Sequence, residues 1–289
     1  MNSASKRAWV TGAATGFGYY TVLSLLAQGW QVIASLKDLR QESPAFAEAL
    51  TKYPQALQLV ELDLTRLEAL PALLAELQVA EKGLDLLVNN AGFGTYGAVQ
   101  DLSEAQIRTQ MEVNFFGPLL LTRALLPALQ HSQGRIITVT SIMARYAMPL
   151  VTLYSASKYA MEGLSEGLRQ EVAQLGIQLC TVQPGGYRTP FYSSLVWGEK
   201  SFAPDSPYRK MGQHFQGFMQ RLAERPKAPH PQEVADVILS LSQRPQLPRC
   251  VVVGKDAQLI ALLERLLPYG LFRFLMKRMN RMILGTPIG

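Results

Sequence analysis

Short apolar runs alternate with longer amphipathic stretches along the first two thirds of the chain. Short apolar runs are typical of buried strands, and longer amphipathic stretches are typical of helices. The pattern predicts strands at 7–11, 31–36, 57–61, 84–88, 134–140, 177–183 and 250–253. It predicts helices at 16–29, 43–52, 65–80, 152–175 and 232–243, with helical segments over 103–130. Such regular alternation predicts an α/β fold, a doubly wound, Rossmann-type parallel sheet covered by helices on both faces.

Two segments depart from this pattern. Residues 190–231 are rich in aromatic, proline and polar residues without a simple period, and they separate a predicted strand from the next helix. An insertion in that place usually closes over a ligand, so we expect a substrate lid. Residues 256–289 have a helical pattern with an apolar and a basic side, divided by Pro268 and Gly270. We therefore expect one catalytic domain over 1–256, followed by an amphipathic helical extension over 257–289.

Composition narrows the possible classes of protein. The chain has 289 residues, 48% of them hydrophobic and 17% charged, which suits a single domain with a full core. The formal net charge of +6 suits an anionic cofactor, a membrane surface or nucleic acid and does not choose among them. No basic motif interleaved with aromatic residues supports nucleic-acid binding. No apolar run is long enough for a membrane span, and the beginning of the chain does not resemble a signal peptide.

The cysteines and histidines predict neither disulfides nor a metal site. Cys180 and Cys250 lie in apolar, strand-like runs, so we expect buried reduced thiols and a reducing cytoplasm. His214 lies in the expected lid, and His131 and His230 lie in loops or at helix ends. None of the three has a partner at the spacing of metal ligands.

A glycine-rich turn follows the first predicted strand and opens the first predicted helix. Gly12, Gly16 and Gly18 permit backbone angles and close approaches that other side chains would forbid. The start of the helix presents free N–H groups and a positive dipole end to a pyrophosphate. Between a strand and a helix, this turn predicts dinucleotide binding.

The glycine spacing, Thr-Gly-x-x-x-Gly-x-Gly, resembles that of the short-chain dehydrogenase/reductase family. Further family motifs follow in order over residues 11–189: "DLT" with Asp63, "NNAG" at 89–92, "VNFFG" with Asn114, "VTSIMA" with Ser141, "YSASK" with Tyr154 and Lys158, and "PGGYRT" ending in Thr189. "GKDA" at 254–257 extends the match, and "ASLKDLR" looks like the hydroxysteroid and retinol dehydrogenase branch. The family often has glycine where this chain has Ala144, so we expect a small local packing change there. The resemblance implies hydride transfer between a nicotinamide dinucleotide and a carbonyl or alcohol carbon.

Four residues are the candidates for catalysis. Lys158 lies one helical turn after Tyr154, so both side chains share a face, and a nearby positive charge lowers the pKa of a phenol. We expect Tyr154 to act as general acid and base. Ser141, in a turn after a strand, can hold the substrate oxygen. The resemblance adds that Lys158 bonds the nicotinamide ribose and that Asn114, at a helix irregularity, holds a water that relays protons to Lys158.

The cofactor site expected from the glycine turn and the resemblance comprises Gly12, Thr15, Gly16, Phe17, Gly18, Lys37, Asp63, Leu64, Asn90, Ala91, Gly92, Tyr154, Lys158, Pro184, Gly185 and Thr189. NAD-specific members tend to place an acidic residue at the end of the second strand, where this chain has Leu36 followed by Lys37. A cation there favours a 2′-phosphate, so we predict that NADP(H) is preferred and NAD(H) possible. Asp38 opposes this inference and Arg40 supports it. The alternative is that Lys37 is a solvated loop charge.

The substrate is expected to be a bulky apolar molecule that is steroid-like, retinoid-like or lipid-like. Aromatic and thioether groups suggest this in the lid and near Ser141: Phe191, Tyr192, Leu195, Val196, Trp197, Phe202, Tyr208, Met211, Phe215, Phe218 and Met219, with Met143, Tyr146 and Met148. The alternative is that they pack the lid against its own core.

Several placements and functions stay open. The basic amphipathic segment 258–284 could lie on an anionic membrane, on the rim of the pocket or against a second subunit. The resemblance implies a homo-oligomer formed through long helices that include 152–175. A non-catalytic dinucleotide sensor is the main alternative, but such proteins typically lose the Tyr or the Lys. The glycine spacing and chain length disfavour an epimerase or dehydratase.

Overall fold

The centre of the computed structural model, which describes residues 5–225 and 228–285, is a seven-stranded parallel sheet of order β3-β2-β1-β4-β6-β7-β9. Its strands are β1 (Arg7–Thr11), β2 (Gln31–Leu36), β3 (Leu57–Glu61), β4 (Leu86–Asn89), β6 (Arg135–Val139), β7 (Gln178–Pro184) and β9 (Cys250–Val253). The helices are α1 (Gly16–Ala27), α2 (Leu39–Glu42), α3 (Ala47–Lys52), α4 (Leu70–Glu76), α5 (Val79–Lys82), α6 (Glu104–Met111), α7 (Gly117–His131), α8 (Thr152–Ala173), α9 (Arg209–Ala223), α10 (Gln232–Gln243), α11 (Lys255–Leu266) and α12 (Tyr269–Leu284). The predicted doubly wound α/β fold is confirmed.

Two hydrophobic cores cover the faces of this sheet. Successive strand residues point to opposite faces, so Val10 of β1 packs in one core and Trp9 in the other. The first core contains residues of α1 and α10, and the second contains residues of α7 and α8. A parallel sheet covered on both faces needs near-continuous apolar strands, which explains the apolar runs in the sequence.

The strand order places a crevice at the carboxyl ends of β1 and β4. The chain runs outward from β1 through β2 to β3, then crosses back to β4 on the other side. In open α/β sheets, ligands bind where the strand order reverses in this way. The glycine turn after β1 and the "NNAG" segment after β4 both lie at this point.

Some predicted helices are interrupted. The stretch predicted over 65–80 forms α4 and α5, because Gln78 adopts a left-handed conformation with φ of 51°. The stretch over 43–52 begins as a 3-10 turn at Ser43–Phe46 before α3. The stretch over 103–130 contains a π-helical segment, Glu112–Phe116, between α6 and α7. The main sheet strands agree with their predicted bounds within two residues.

The lid has more regular structure than its sequence suggested. Two short parallel strands, β5 (Thr95–Tyr96) and β8 (Val196–Trp197), form a second sheet, and α9 follows. We found no simple period in this segment, yet α9 buries Gly212, Phe215 and Met219 on one face. Spacings of three and four residues are those of an amphipathic helix, so the signal was present but was masked by the flanking polar residues.

The tail packs on the body of the protein. Phe272, Met276 and Leu284 of α12 are buried in a third core together with Phe215 and Met219 of α9. Pro268 divides the tail, but Gly270 lies inside α12, and the expected boundary after residue 256 falls within α11. Among the described residues, no helix combines the length and the apolar character needed to cross a membrane.

Candidate active site

Glycines build the turn between β1 and α1 where other side chains would clash. Gly12 has a φ of +60°, and a Cβ there would lie 2.7 Å from the Cα of Ala91. Gly16 has a φ of +54°, and a Cβ on Gly18 would lie 2.4 Å from the carbonyl oxygen of Gly12. Thr15, the N-cap of α1, makes no side-chain capping hydrogen bond. The first N–H groups of this 12-residue helix are therefore open to a phosphate.

The "NNAG" segment is hydrogen-bonded to the glycine turn. The backbone N–H groups of Asn90 and Ala91 each donate to the Thr11 hydroxyl oxygen at 3.0 Å. The Asn90 side-chain amide donates to the carbonyl oxygens of Thr11, at 2.9 Å, and Gly12, at 3.0 Å. These bonds tie the ends of β1 and β4 together, so they fix the floor of the crevice.

Asn114 lies in the π-helical segment, where the resemblance implied a helix irregularity. Its Oδ1 accepts the Phe93 N–H at 3.1 Å, and its Nδ2 donates to the Phe93 carbonyl at 3.0 Å. A Cβ on Gly92 would lie 3.2 Å from Asn114 Oδ1 and 3.3 Å from Lys158 Nζ. Gly92 therefore lies close to both groups, and a side chain at this position would crowd them.

Tyr154 lies in the first turn of α8 and is buried beside Ser141. Burial raises the pKa of Tyr154 to about 12, although a hydrogen bond with Ser141 acts in the opposite direction. The Tyr96 ring lies 6.0 Å from the Tyr154 ring, and the Phe191 ring lies 5.5 Å from it, measured between centroids. These rings exclude water from the phenol.

The expectation that the pKa of Tyr154 is lowered beside Lys158 is therefore wrong. The Lys158 Nζ lies 5.8 Å from the centre of the Tyr154 ring, yet burial raises the pKa of the phenol. The phenol consequently stays protonated at neutral pH, the form that donates a proton.

Lys158 is itself buried, and its Nζ donates to the Val139 carbonyl at 3.1 Å. Burial lowers the pKa of Lys158 to about 8, and the charge of Glu162 one helical turn later opposes this shift. The Glu162 carboxylate accepts hydrogen bonds from the side chains of Thr140, Thr181 and Gln183. Side chains from β7 and from the end of β6 therefore hold the Glu162 carboxylate on the same face of α8 as Lys158, one helical turn later.

A polar chain continues from Glu162 to the tail. Arg145 donates to Gln183, which also donates to Glu162. Arg145 Nη1 lies 2.8 Å from Glu264 of α11, and the Tyr146 hydroxyl donates to Asn280 of α12. The loop that begins at Ser141 is therefore joined to both tail helices.

At the end of β2, the carboxylate of Glu42 accepts hydrogen bonds from backbone N–H groups. We did not single out this residue from the sequence. Glu42 accepts the N–H of Lys37 at 2.8 Å and that of Asp38 at 3.4 Å. The Asp38 carboxylate accepts the Arg40 N–H at 2.9 Å and so caps α2. Asp38 is therefore held by its own helix, and Lys37 is exposed at the mouth of the cavity.

Asp63, Leu64 and Thr65 follow β3 and line the same end of the cavity. Burial alone would raise the pKa of Asp63, but hydrogen bonds from Thr65 and the charge of Lys37 lower it. The carboxylate accepts the Thr65 N–H at 2.9 Å and the Thr65 hydroxyl at 2.7 Å. The hydrogen bonds from Thr65 therefore hold the ionised Asp63 carboxylate in place close to Lys37.

The Pro184–Gly185 segment at the end of β7 is anchored by Asp256 of α11. The Gly186 N–H donates to Asp256 Oδ2 at 2.8 Å, and a Cβ on Gly185 would lie 2.1 Å from Asp256 Oδ1. Thr189 lies across from the glycine turn, since its Cγ2 would be 3.3 Å from a Cβ on Gly16. The "PGGYRT" segment is therefore close to the start of α1, as the shared site requires.

One cavity of about 1020 Å³ connects these groups. Of the predicted cofactor and catalytic residues, all except Gly18 and Asn114 line it, and these two lie directly behind the lining. Its other end is apolar and includes Met143, Tyr146, Met148, Phe191, Phe215, Phe218, Met219, Ile260, Met279 and Ile283. The two interpretations of the lid residues, contact with a substrate and packing in a core of their own, are therefore compatible. These residues pack in the third core and also present side chains to the cavity.

Comparison with known proteins identifies the family. The family model "short chain dehydrogenase" matches residues 6–199. The chain is 30% identical over 276 residues to the uncharacterized oxidoreductase YusZ of Bacillus subtilis, covering 94% of this chain and 98% of that protein. It is 30% identical over 247 residues to 17-beta-hydroxysteroid dehydrogenase type 1 of Mus musculus, covering 82% of this chain and 70% of that protein.

A solved structure agrees with this. A short chain dehydrogenase from Burkholderia cenocepacia in complex with NADP superposes with a TM-score of 0.67 at 28% identity, covering 98% of each chain. The hydroxysteroid dehydrogenase relative supports the resemblance to the hydroxysteroid and retinol branch. With the motifs in one crevice and the family model covering most of the sheet, this chain belongs to the short-chain dehydrogenase/reductase family of oxidoreductases that act on CH–OH groups.

Proposed function

We propose that this chain is an NADP(H)-dependent oxidoreductase that interconverts a carbonyl and a primary or secondary alcohol on a bulky apolar substrate. The observation that carries the proposal is the single cavity that joins the glycine turn, Tyr154 and Lys158 to the apolar walls of the lid and tail. Its volume is at the upper end of the range for small-molecule sites, which suits a dinucleotide beside a second ligand.

Tyr154 and Ser141 form the reacting pair in the proposed reduction. With a pKa raised to about 12, the Tyr154 Oη carries its proton at neutral pH. The Ser141 oxygen accepts the Met143 N–H at 3.1 Å, which holds the hydroxyl in place, and in this proposal the hydroxyl donates to the substrate oxygen. The phenol gives up its proton as negative charge develops on that oxygen. When bound, the dinucleotide supplies or accepts the hydride.

Lys158 and Asn114 support this proton transfer. The ammonium, 5.8 Å from the Tyr154 ring centre, stabilises the phenolate that remains after transfer. Lys158 also binds the ribose in this proposal. When Lys158 passes a proton to the phenolate, a water held by Asn114 reprotonates the neutral amine that is left. The approach of both side chains to Gly92 supports this pairing of Asn114 with Lys158.

The preference for NADP(H) rests on the end of β2. NAD-specific members tend to have an acidic residue at this position, which binds the ribose 2′-hydroxyl. Here the position is Leu36, which is fully buried and carries no carboxylate. Lys37 is exposed at the mouth of the cavity, where its charge attracts a 2′-phosphate. The NADP complex of the Burkholderia cenocepacia protein adds support. Glu42 opposes this preference, because a 2′-phosphate on the Lys37 and Asp38 amides would displace its carboxylate.

A bulky substrate follows from the apolar end of the cavity. Aromatic and thioether side chains from three separate segments line it, and the polar residues Ser194 and Arg225 of the lid also reach the cavity. Such walls bind through burial of apolar area and leave orientation to the few polar groups. The mouse relative acts on a hydroxysteroid by its name, which is consistent with a steroid-like, retinoid-like or lipid-like carbonyl compound.

The experiment is a screen of bulky and small carbonyls and alcohols with NADPH and NADP⁺, repeated with Tyr154→Phe. We expect turnover on bulky apolar compounds and a loss of about 10³-fold in Tyr154→Phe, with NADPH binding unchanged by fluorescence. Tyr159→Phe, an exposed tyrosine on the same helix, is the matched control. Preference for small polar substrates would overturn the substrate class, and Tyr154→Phe turnover within tenfold of wild type would overturn the mechanism.

A homo-oligomer formed through α8 and a cytoplasmic location stay predictions. Tyr159 on α8 and Phe116 just before α7 are exposed at 43% and 42%, which supports a contact on these helices. Light scattering that gives the mass of one 32.0 kDa chain would exclude the oligomer.

A further inference from the structure

The outer faces of α11 and α12 form an exposed apolar surface, which we call the tail face. Of the twelve large apolar side chains that are exposed within residues 5–225 and 228–285, seven belong to it. They are Leu259, Leu262, Leu266, Tyr269, Leu271, Phe274 and Met282. An exposed apolar concentration of this kind on a folded protein usually marks an interaction site.

Cations are interleaved with these apolar residues. From residue 265 to residue 284 the sequence has five basic residues and no acidic one. Arg273 lies 5.9 Å from the Tyr269 ring centre, and Arg278 lies 6.0 Å from that of Phe274. The guanidinium groups thus share the exposed surface with the aromatic rings.

The acidic residues of these two helices are directed to the body of the protein instead. Glu264 pairs with Arg145 at 2.8 Å, and Asp256 accepts the Gly186 N–H at 2.8 Å. Both carboxylates of these helices therefore have partners in the body of the protein.

The inner faces of the same helices form a wall of the cavity. Ile260, Met279 and Ile283 line it, while Asn280 is hydrogen-bonded to Tyr146. The tail is consequently folded and fixed with its apolar, basic face already outward. Binding through this face requires no folding of the tail, and only about one helix diameter separates the face from the cavity.

We propose that the tail face docks the folded enzyme on an anionic lipid bilayer and that apolar substrate reaches the cavity from the bilayer past α11 and α12, whose inner faces line it. Apolar and aromatic side chains enter the acyl boundary while the arginines contact anionic headgroups. The entry route rests on the proposed function, whereas the docking does not.

A second copy of this chain fits the tail face less well than lipid does. A two-fold dimer would place the same patch against itself. Arg265, Arg273 and Arg278 of one copy would then face those of the other with no acidic residue among residues 265–284 to compensate. Like charges brought together oppose association, while anionic headgroups complement them.

The test is co-sedimentation of the full chain with vesicles of phosphatidylcholine alone or with about one third phosphatidylglycerol. We expect binding to the anionic vesicles only, weakened by salt. The triple variant Arg265→Gln, Arg273→Gln and Arg278→Gln should lose about fivefold in partition coefficient for each arginine removed. Leu266→Ser with Phe274→Ser should also lose binding, because apolar insertion is removed.

A matched control separates the tail face from net charge. Lys82→Gln, Arg123→Gln and Arg244→Gln remove the same charge from exposed positions outside the tail, and this variant should bind as wild type does. Thermal unfolding and NADPH binding of each variant check that the fold is kept. Absence of wild-type binding, or equal losses in both triple variants, would overturn the docking. A wild-type dimer that the tail variants dissociate would instead assign the face to a second copy.

Substrate entry has its own readout. A long-chain ketone presented in anionic vesicles should be reduced more slowly by the triple arginine variant than by wild type. A water-soluble ketone should be reduced at equal rates by these two proteins. Equal rates on the vesicle-borne ketone would refute the entry route. If no carbonyl is reduced at all, the proposed function and the entry route fail together, and the sedimentation result still decides the docking.

Discussion

The fold holds Lys158, a residue of the proposed active site, at a cost in stability. Burial lowers its pKa to about 8 from an ordinary value of 10.5. Each pKa unit corresponds to about 1.4 kcal/mol, so keeping this ammonium charged inside the dinucleotide-free protein costs about 3 kcal/mol. Replacing Lys158 by Met keeps the length of the side chain and removes the charge. We therefore expect Lys158→Met to be more stable than wild type at pH 7.

The net gain is smaller than the full cost. The Lys158 Nζ donates to the Val139 carbonyl, and loss of one hydrogen bond costs about 1 kcal/mol. A gain of about 2 kcal/mol remains. For a protein of this size, 1 kcal/mol shifts the Tm by about 2–4 °C, so the expected rise is about 5 °C.

The sign of the pH dependence follows from the direction of the pKa shift. The unfolded chain keeps its Lys158 proton up to the unfolded pKa of 10.5, while the folded protein releases it near pH 8. Between these values the unfolded state binds more protons, so wild-type stability rises with pH. Below pH 8 the cost is fully present, and by pH 10 most of it is relieved. The advantage of Lys158→Met should therefore disappear near pH 10.

Urea unfolding of the dinucleotide-free proteins at pH 7 and pH 10 measures this difference. Lys82→Met is the control, because Lys82 is exposed and should show no comparable change at either pH. A Lys158→Met protein that is less stable than wild type at pH 7 would refute the reasoning. So would an advantage of the same size at both pH values, since that would arise from packing and not from charge.

Three further predictions test other parts of the site. Glu42→Gln should lower the Kd for NADPH severalfold with little effect on NADH, because it removes the negative charge bound to the backbone N–H of Lys37. Fluorescence titration measures both Kd values, and Glu48→Gln is the control. Gly18→Ala places a Cβ 2.4 Å from a backbone oxygen of the same turn, so calorimetry should detect no dinucleotide binding. Asn280→Ala leaves the buried Tyr146 hydroxyl without its partner and should lower the free energy of unfolding by about 1–3 kcal/mol, with faster proteolysis of the tail.

The sheet could be predicted from sequence because its signals are local. Apolar runs specify the strands, and α10 and β9 have the predicted bounds of 232–243 and 250–253. The break at Gln78 was missed, because a left-handed residue other than glycine leaves no mark in an apolar pattern. Pairing of β5 with β8 was missed since each strand has only two residues and their partners are 101 positions apart.

The site was predictable as far as its residues belong to motifs. Gly12, Ser141 and Tyr154 line one cavity, as their motifs implied. Glu42 and Asp256 were not singled out, because their roles depend on which backbone N–H groups tertiary folding brings near them. The pKa of the phenol was predicted in the wrong direction, since the sequence shows the nearby cation but not the aromatic rings that exclude water.

The loop after β6 connects the reacting groups of the proposed site to the tail helices that line the substrate end of the cavity. Ser141 at its start contacts Tyr154, whereas Arg145 and Tyr146 bind Glu264 and Asn280 of the tail. The sheet fixes the first of these contacts, and the other two depend on helices that end the chain. Substitutions on the cavity side of α9, α11 and α12 that keep the packing around Tyr154 and the Asp256 contact can therefore reshape the apolar end of the cavity. The tail forms a wall of the cavity inside and an exposed face outside, so a change on either surface acts on the same pair of helices.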